Sequence, residues 1–305
     1  MARRPSAYVI SITPFDDRGA LDEPGLRAHL RRMAGCGLGV YVGGAGSGEG
    51  YSLRPEEVER VLAVAVDELA GAVPVRAMGV EPRTAAEMVA FAEVAAAAGV
   101  DAMQVYSMDL GHLGRPERGE IERYLRTVLD AATIPVVIST HFSVGYFAPA
   151  DLLAELAAQH PSIVGVNCTN PDLAYLTRLL GSLPDRVEVH TGFTAQALAA
   201  LSLGASGFLT SEANTVPQFV AAVIERWEAG DLPGVAAVFD RLWRYSTELY
   251  AGGGSIRATK EVLRLLGLPG GPPRAPRLPV SDPAETARLE ALVAAFGLLE
   301  TAPGA

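Results

Sequence analysis

Polar and titratable side chains follow the short apolar runs of this sequence, at positions where strand ends are predicted. They are Thr13, Ser47, Glu49, Tyr106, Ser107, Asp109, His112, Ser139, Thr140, His141, Asn167, Cys168, Thr169, His190, Ser211 and Glu212. Three of the five histidines belong to this set, and imidazole exchanges protons near neutral pH. The other two, His29 and His160, fall on or just after predicted helices and are expected at the surface.

His141 is the leading candidate for proton transfer, because it lies just beyond the fifth predicted strand. A loop histidine of this kind has a structural role about as often. Asp109 and His112, three residues apart, form either an acid–base pair, two metal ligands or part of a solvated loop. Tyr106 either donates a hydrogen bond to a developing oxyanion or packs in the core.

Two further candidates end the sixth predicted strand. Asn167 either hydrogen-bonds a substrate carbonyl, which would activate it electrostatically, or is a satisfied core amide. Cys168 is either a nucleophile or a buried and unreactive thiol, which is the commoner state of strand cysteines. Together with Cys36 it forms neither a disulfide framework nor a metal motif.

A glycine-rich loop, Gly43–Glu49, follows the second predicted strand. Glycines let backbone N–H groups approach a ligand closely, and such a concave turn favours an anion. We expect Gly46, Ser47 and Gly48 to bind an anionic group of a substrate; the alternative is a tight turn without a ligand. Glu49 is expected to tie the loop to a neighbouring strand. The predicted substrate-binding set is completed by Thr13, Ser139 and Thr140.

Eight strand–helix units must position these residues. Strands are predicted at 7–11, 38–43, 74–79, 101–106, 135–139, 163–167, 186–190 and 206–210. Helices are predicted near 23–35, 54–70, 84–98, 118–132, 149–159, 171–182, 194–203 and 215–228. Near-continuous apolar strands indicate a parallel sheet covered on both faces, and eight such units indicate a (β/α)8 TIM barrel.

The pattern changes after residue 229, where helical runs near 231–249, 255–266 and 283–299 follow without intervening strands. We predict a barrel over 1–229 and a C-terminal helical extension over 230–305, packed on the barrel. In a barrel of this type the active site lies at the carboxyl ends of the strands, so these polar residues are expected to meet there.

Four stretches, in this order, resemble signatures of the dihydrodipicolinate synthase / N-acetylneuraminate lyase family. They are Ser11–Phe15, Gly43–Glu49, Thr191–Gly192 with Ala213–Pro217, and Ile256–Pro279. The resemblance covers about residues 7–280 and implies the barrel fold, lyase chemistry and a homo-oligomer. It also implies that the glycine-rich loop holds the carboxylate of a 2-oxo acid.

The resemblance fails at the position that carries the family's chemistry. In the family the sixth strand ends in a lysine that forms a Schiff base with pyruvate, and that pattern falls on Ile163–Asn167. Asn167 therefore stands at the lysine position and cannot form an imine. Ser139 replaces the proton-relay tyrosine. The one lysine of the chain, Lys260, lies in the C-terminal segment, where the family often has a non-catalytic lysine.

Composition narrows the function classes. A formal net charge of −10 disfavours nucleic acid or an anionic membrane as the main partner. No apolar run is long enough to span a membrane, and the first residues are not followed by the apolar run of a signal peptide. These two features predict a cytoplasmic protein.

Three functions remain open. The first is a lyase-like enzyme without cofactor, acting by aldol-type cleavage or condensation, dehydration or cyclisation on a small oxo acid or carboxylate. The second is a metal-dependent lyase in which Asp109, His112, His141 and His190 converge on a divalent ion. The third is a non-catalytic ligand-binding or partner subunit on the same fold.

Overall fold

The computed structural model describes residues 4–253 and 255–299, and its eight strands close into a barrel in sequence order. The strands are β1 (Ser6–Ile10), β2 (Gly39–Val42), β3 (Val75–Ala77), β4 (Ala102–Val105), β5 (Val136–Thr140), β6 (Ile163–Cys168), β7 (Glu188–Thr191) and β8 (Gly207–Thr210). The barrel helices are α1 (Glu23–Ala34), α2 (Pro55–Leu69), α3 (Ala85–Ala98), α4 (Arg118–Ala131), α5 (Ala150–Gln159), α6 (Leu173–Ser182), α7 (Ala197–Ser202) and α8 (Pro217–Glu228). Three more follow: α9 (Leu232–Tyr250), α10 (Ser255–Leu265) and α11 (Pro283–Ala295). The predicted (β/α)8 barrel with helices after it is confirmed.

The strands are apolar because they are covered on both faces. Every residue of β2, β4, β5 and β8 is buried. Strands of a parallel sheet have this character, since the crossover helices cover one face and the interior side chains the other. None of the helices in the described part of the chain has both the length and the apolar character needed to span a bilayer.

Local capping chemistry sets where the helices begin. The side chains of Asp22, Thr84 and Asp172 each accept a hydrogen bond from a backbone N–H in the first turn of α1, α3 and α6. Pro55 occupies the first turn of α2, where its missing N–H has no cost. These signals can be read from the sequence, and the observed starts agree with the predicted ones.

The chain divides into two compact units, Met1–Tyr8 with Val75–Thr210, and Val9–Pro74 with Ser211–Ala305. In the first, called here the β3–β8 unit, β8 approaches β1 so closely that a Cβ at Gly207 would lie 1.8 Å from the carbonyl oxygen of Ser6. Only glycine fits there.

In the second, called here the α1–α11 unit, α9 packs on α8, and α10 and α11 pack on α9. Ile12 after β1 shares a buried cluster with Ile256 and Leu263 of α10. The predicted division into 1–229 and 230–305 stays a prediction; residues 254 and 300–305 of that second range lie outside the described residues.

Candidate active site

His141 follows β5 directly and is held by two side chains that come from different loops. Its Nδ1 lies 2.6 Å from Ser143 Oγ, and Ser143 Oγ donates to Glu81 Oε1 at 2.7 Å. Because the single hydroxyl proton of Ser143 goes to Glu81, the 2.6 Å contact requires Nδ1–H to donate to Ser143 Oγ, and this tautomer leaves Nε2 unprotonated. The backbone N–H of Ser143, 3.2 Å from Nδ1, donates to it only in the other tautomer. We call Glu81, Ser143 and His141 the histidine relay.

Electrostatics keep this imidazole neutral at physiological pH. Burial lowers the pKa of His141, while the nearby Glu81 carboxylate, 3.6 Å from Nδ1, opposes that shift. The side chain of Glu81 is only 6% exposed, whereas that of His141 is 28% exposed. A neutral, partly accessible imidazole beside a buried carboxylate has the properties of a general base.

Aromatic rings surround the relay. The Tyr106 ring meets the His141 ring edge to face at a centroid distance of 6.1 Å. Phe142 stacks on His141 at 4.7 Å, and Phe193 stacks on Phe142 at 5.6 Å. Tyr106 is buried, and its backbone carbonyl accepts a hydrogen bond from the hydroxyl of Tyr124. The structure thus brings together Tyr106 and His141, which are 35 positions apart in the sequence.

Asn167 points into the barrel interior. Its Nδ2 donates to Gln104 Oε1 at 2.6 Å across β5, the strand between β4 and β6. In register, Asn167 pairs with Ser139 on one side and His190 on the other, so the three side chains share one face. The Asn167 side-chain amide, held by the Gln104 amide, can donate a hydrogen bond to a carbonyl group.

Thr140 and Cys168 face the other way. They pair with each other one residue beyond Ser139 and Asn167, and successive strand residues point to opposite faces. Both are fully buried, and burial raises the pKa of the Cys168 thiol. The structure therefore does not bring the predicted substrate-binding Thr140 together with Ser139 and Asn167, and Cys168 lacks the lowered pKa of a nucleophilic thiol.

His190, the second-last residue of β7, lies in the barrel interior and is in register with Asn167. Arg76 on β3 reaches Glu188 on β7 at 2.7 Å, a contact that strands so far apart in the barrel order make only through the interior. His190, two residues after Glu188, bonds Ser6 Oγ at 2.8 Å at the start of β1. Burial, with Arg76 nearby, lowers its pKa to about 3.

Asp109 and His112 are both exposed. Asp109 Oδ1 accepts from the backbone N–H of Gly111 at 2.9 Å, which closes a turn within its own loop. Over the described ranges no three His, Cys, Asp or Glu side chains are grouped as a metal would require. Asp109, His112, His141 and His190 therefore do not converge, and the predicted metal-binding arrangement of these four is wrong.

In the α1–α11 unit, Thr13 anchors the glycine-rich loop. Thr13 Oγ1 donates to the carbonyl of Gly48 at 2.7 Å, and Ser47 Oγ donates to Ser211 Oγ at 2.7 Å. A Cβ at Gly48 would lie 2.7 Å from Gly44 N, whereas one at Gly46 would meet nothing within 4 Å. Packing within the protein therefore requires glycine at position 48, whereas no contact within the protein requires glycine at position 46.

Lys260 is the other anchor of this loop. Three oxygen atoms surround its Nζ: Glu49 Oε1 at 2.6 Å, and the carbonyls of Thr13 and Pro272 at 3.0 Å each. Burial lowers the pKa of Lys260, and the Glu49 carboxylate opposes that shift. Glu49 also accepts from the N–H of Arg274 at 2.9 Å. The loop is thus tied to α10 and the segment after it, and the expected tie to a neighbouring strand is wrong.

His29 is buried, so its expected surface position is wrong. Its Nε2 lies 2.9 Å from Asn214 Oδ1, which also accepts from Ile12 N. Because Asn214 Nδ2 donates to two carbonyls, Oδ1 is an acceptor, and His29 must donate from Nε2. Burial lowers the pKa of His29 to about 3.

Glu81 and Ser143 are the residues of the site that sequence reasoning missed. Glu81 stands four residues after the end of β3 and directly before Pro82, which is the same strand-end signal that selected His141. Ser143 lies two residues after His141, where a hydroxyl reaches back to the ring. Both were identifiable by position, but their pairing depends on two loops meeting.

Comparisons with known proteins agree with this fold. The model of the dihydrodipicolinate synthetase family matches residues 6–295. A 4-hydroxy-tetrahydrodipicolinate synthase of Methanoculleus marisnigri is 30% identical over 94% of this chain and 97% of its own. A probable 5-dehydro-4-deoxyglucarate dehydratase of Pseudarthrobacter chlorophenolicus is 30% identical over 93% and 92%. The solved structure of a monomeric dihydrodipicolinate synthase variant superimposes with a TM-score of 0.89 at 19% identity, covering 97% of each chain.

Proposed function

Since the chain belongs to the dihydrodipicolinate synthetase family of lyase-type enzymes, we propose that it acts on a small oxo acid or related carboxylate without a lysine Schiff base. The reaction is an aldol-type cleavage or condensation, a dehydration or a cyclisation. Each of these begins with the movement of a proton next to a carbonyl or hydroxyl group.

The observation that carries the proposal is the histidine relay. Ser143 and Glu81 orient the imidazole through Nδ1, so Nε2 takes a proton from the carbon beside a substrate carbonyl. As that C–H bond breaks, its electron pair moves to the carbonyl oxygen, and the enolate oxygen gains negative charge. The amide of Asn167 and the hydroxyl of Tyr106 stabilise this charge by hydrogen bonding. Asp109 stays a predicted proton donor from its exposed loop.

Two observations support the loss of imine chemistry, one at the family's lysine position and one at Lys260. Asn167 stands at the end of β6 and has no amine. Lys260 is enclosed by three oxygen atoms, and its side chain is 1% exposed. A nucleophilic amine must be neutral and reach its substrate, and Lys260 is held by partners that favour the ammonium.

A separate part of the proposal concerns the glycine-rich loop of the α1–α11 unit. We propose that the backbone N–H groups of Gly46, Ser47 and Gly48 bind a carboxylate, with Thr13 holding the loop in shape. Ser139, in register with Asn167, stays a predicted substrate-binding residue of the β3–β8 unit, whereas Thr140 faces away from both and is not part of the proposal. A homo-oligomer also stays a proposal, which light scattering after gel filtration measures directly.

The first experiment follows proton transfer itself, since the full substrate is unidentified. The purified protein is incubated in D2O with pyruvate, and exchange of the methyl protons is followed by proton NMR. We expect exchange above the buffer rate, abolished in His141→Gln and retained in His160→Gln, a half-buried histidine of the same unit. Pyruvate binding without exchange would favour the non-catalytic alternative.

Borohydride trapping tests the second half of the claim. The protein is reduced in the presence of pyruvate and its intact mass is measured. We expect no covalent adduct. A mass increase that matches reduced pyruvate would locate an active amine on the protein, and the proposal of lysine-free chemistry would be wrong.

A further inference from the structure

Three rings form a continuous stack beside the proposed base. The imidazole of His141 is inclined by 27° to the ring of Phe142, which is inclined by 22° to the ring of Phe193. We call these three residues the aromatic row. His141 and Phe142 follow β5 and Phe193 follows β7, so two separate loops contribute to it. Phe142 is also fixed through its backbone N–H, which donates to Thr169 Oγ1 at 3.1 Å.

The row is exposed where an apolar group is costly. Phe142 is 51% exposed. A polar residue at this loop position would cost no core packing. Leaving apolar surface in water costs roughly 25 cal/mol per Å². Phe142 is exposed beside two further rings and the Ser143–Glu81 pair, and apolar rings with a few polar groups are the usual lining of a ligand site.

The position of the row determines which part of a ligand it would touch. The centroid of Phe142 lies 4.7 Å from that of His141, about the offset of one stacked ring. A substituent on the carbon that exchanges its proton with His141 Nε2 therefore reaches Phe142 without a spacer. Phe142 lies between His141 and Phe193 in the stack, so its ring faces are covered and its exposed edge is the part that a ligand meets. An aromatic edge packs favourably on the face of a planar ring, which a branched aliphatic group does not offer.

Resting on the proposed function, we infer that the substrate is an oxo acid or aldehyde with an aromatic or conjugated planar substituent, and that this substituent packs on the aromatic row. Specificity for the planar group comes from Phe142 and Phe193, and proton transfer comes from His141. The row is thus a specificity-determining surface for the proposed reaction.

Equilibrium binding of two matched probes, pyruvate and phenylpyruvate, tests this inference by calorimetry. We expect phenylpyruvate to bind the wild-type protein at least about tenfold more tightly than pyruvate, as an edge-to-face ring pair and its buried area imply. Phe142→Leu and Phe193→Leu keep the apolar character and lose the flat ring. Each is expected to reduce the affinity for phenylpyruvate about fivefold and leave that for pyruvate within twofold.

Trp243→Leu is the control, because Trp243 is a comparably exposed aromatic residue on α9. An unchanged preference in Phe142→Leu would overturn the inference, as would failure of phenylpyruvate to bind at millimolar concentration. A shift in oligomeric mass without a change in preference would make the row a subunit contact instead.

The same measurements separate this inference from the proposed function. Binding is recorded without turnover, so a ring preference that persists when proton exchange is absent would sink the catalytic role of His141 alone. Proton exchange without a ring preference would sink the aromatic row alone.

Discussion

Lys260 Nζ lies 2.6 Å from Glu49 Oε1, and the two side chains are 1% and 2% exposed. The single lysine of the chain is therefore a structural cation that joins α10 to the glycine-rich loop. Breaking a buried pair leaves one charge uncompensated, which costs about 3–5 kcal/mol. We expect Lys260→Met to lower the free energy of unfolding by about that amount, measured by urea denaturation.

Two variants check the interpretation of that loss. Arg257→Met, at an exposed position of the same helix, should change stability by less than about 0.5 kcal/mol. The double variant Lys260→Met with Glu49→Gln should recover part of the loss, because no buried charge is left unpaired. Equal stability of Lys260→Met and Arg257→Met would show that the pair is not structural.

The histidine relay predicts a change in the pH profile of proton exchange. Glu81 raises the pKa of His141 against the effect of burial. Glu81→Gln should therefore lower that pKa and move the acid limb of the exchange rate to lower pH. The rate on the plateau should fall about tenfold, since the base becomes weaker and less well oriented. If the acid limb of Glu81→Gln stayed at the wild-type pH, Glu81 would have no influence on the pKa of His141.

Ser143→Ala gives the matching test of orientation. It removes the hydroxyl between Glu81 and Nδ1 and leaves both titratable groups in place. We expect a loss of exchange of at least about tenfold with little change in stability, because Ser143 is exposed. Ser202→Ala, which removes an exposed hydroxyl on α7 of the same unit, serves as the control for a surface polar change.

Two buried histidines predict a loss of stability in mild acid. The pKa values of His29 and His190 lie near 3 in the folded protein, below the ordinary value of 6.5. The unfolded chain therefore binds more protons between these limits, and stability falls as pH falls through 6.5 toward 3. Each histidine contributes a slope of about 1.4 kcal/mol per pH unit in that window.

His29→Gln isolates one of the two contributions. Its side-chain amide can donate to Asn214 Oδ1 as His29 Nε2 does, but it does not titrate. We expect the difference in unfolding free energy between pH 7.5 and pH 5.5 to shrink by about 1 kcal/mol relative to the wild type. An unchanged difference would mean that His29 does not remain neutral on folding.

The glycine-rich loop offers two alanine substitutions with expected effects of different size. A methyl group at Gly48 would press on Gly44 N, whereas one at Gly46 would enter open space. We expect Gly48→Ala to weaken pyruvate binding by about tenfold or more through distortion of the loop, and Gly46→Ala to weaken it less. Equal losses would indicate that the ligand, not the loop packing, excludes both methyl groups.

Sequence patterns were sufficient for the architecture because they report local physics. Apolar runs of strand length, helical periodicity and capping residues predicted eight strand–helix units, and all eight lie where expected. Strand-end position selected His141, Tyr106 and Asn167 as candidates, and their role in chemistry stays a prediction. The absence of lysine from the end of β6 is a property of the sequence alone.

Only the tertiary structure decided which of these residues face each other. Strand alternation puts the adjacent Ser139 and Thr140 on opposite faces, but only the barrel decides that Ser139, in register with Asn167, is the one on the interior face. His190 bonds Ser6 at the start of β1, a contact between residues 184 positions apart. Glu81 and His141 meet across 60 residues, and Lys260 meets Glu49 across 211. Sequence periodicity carries no information on such contacts, because they form only when loops and helices distant along the chain pack together and exclude water.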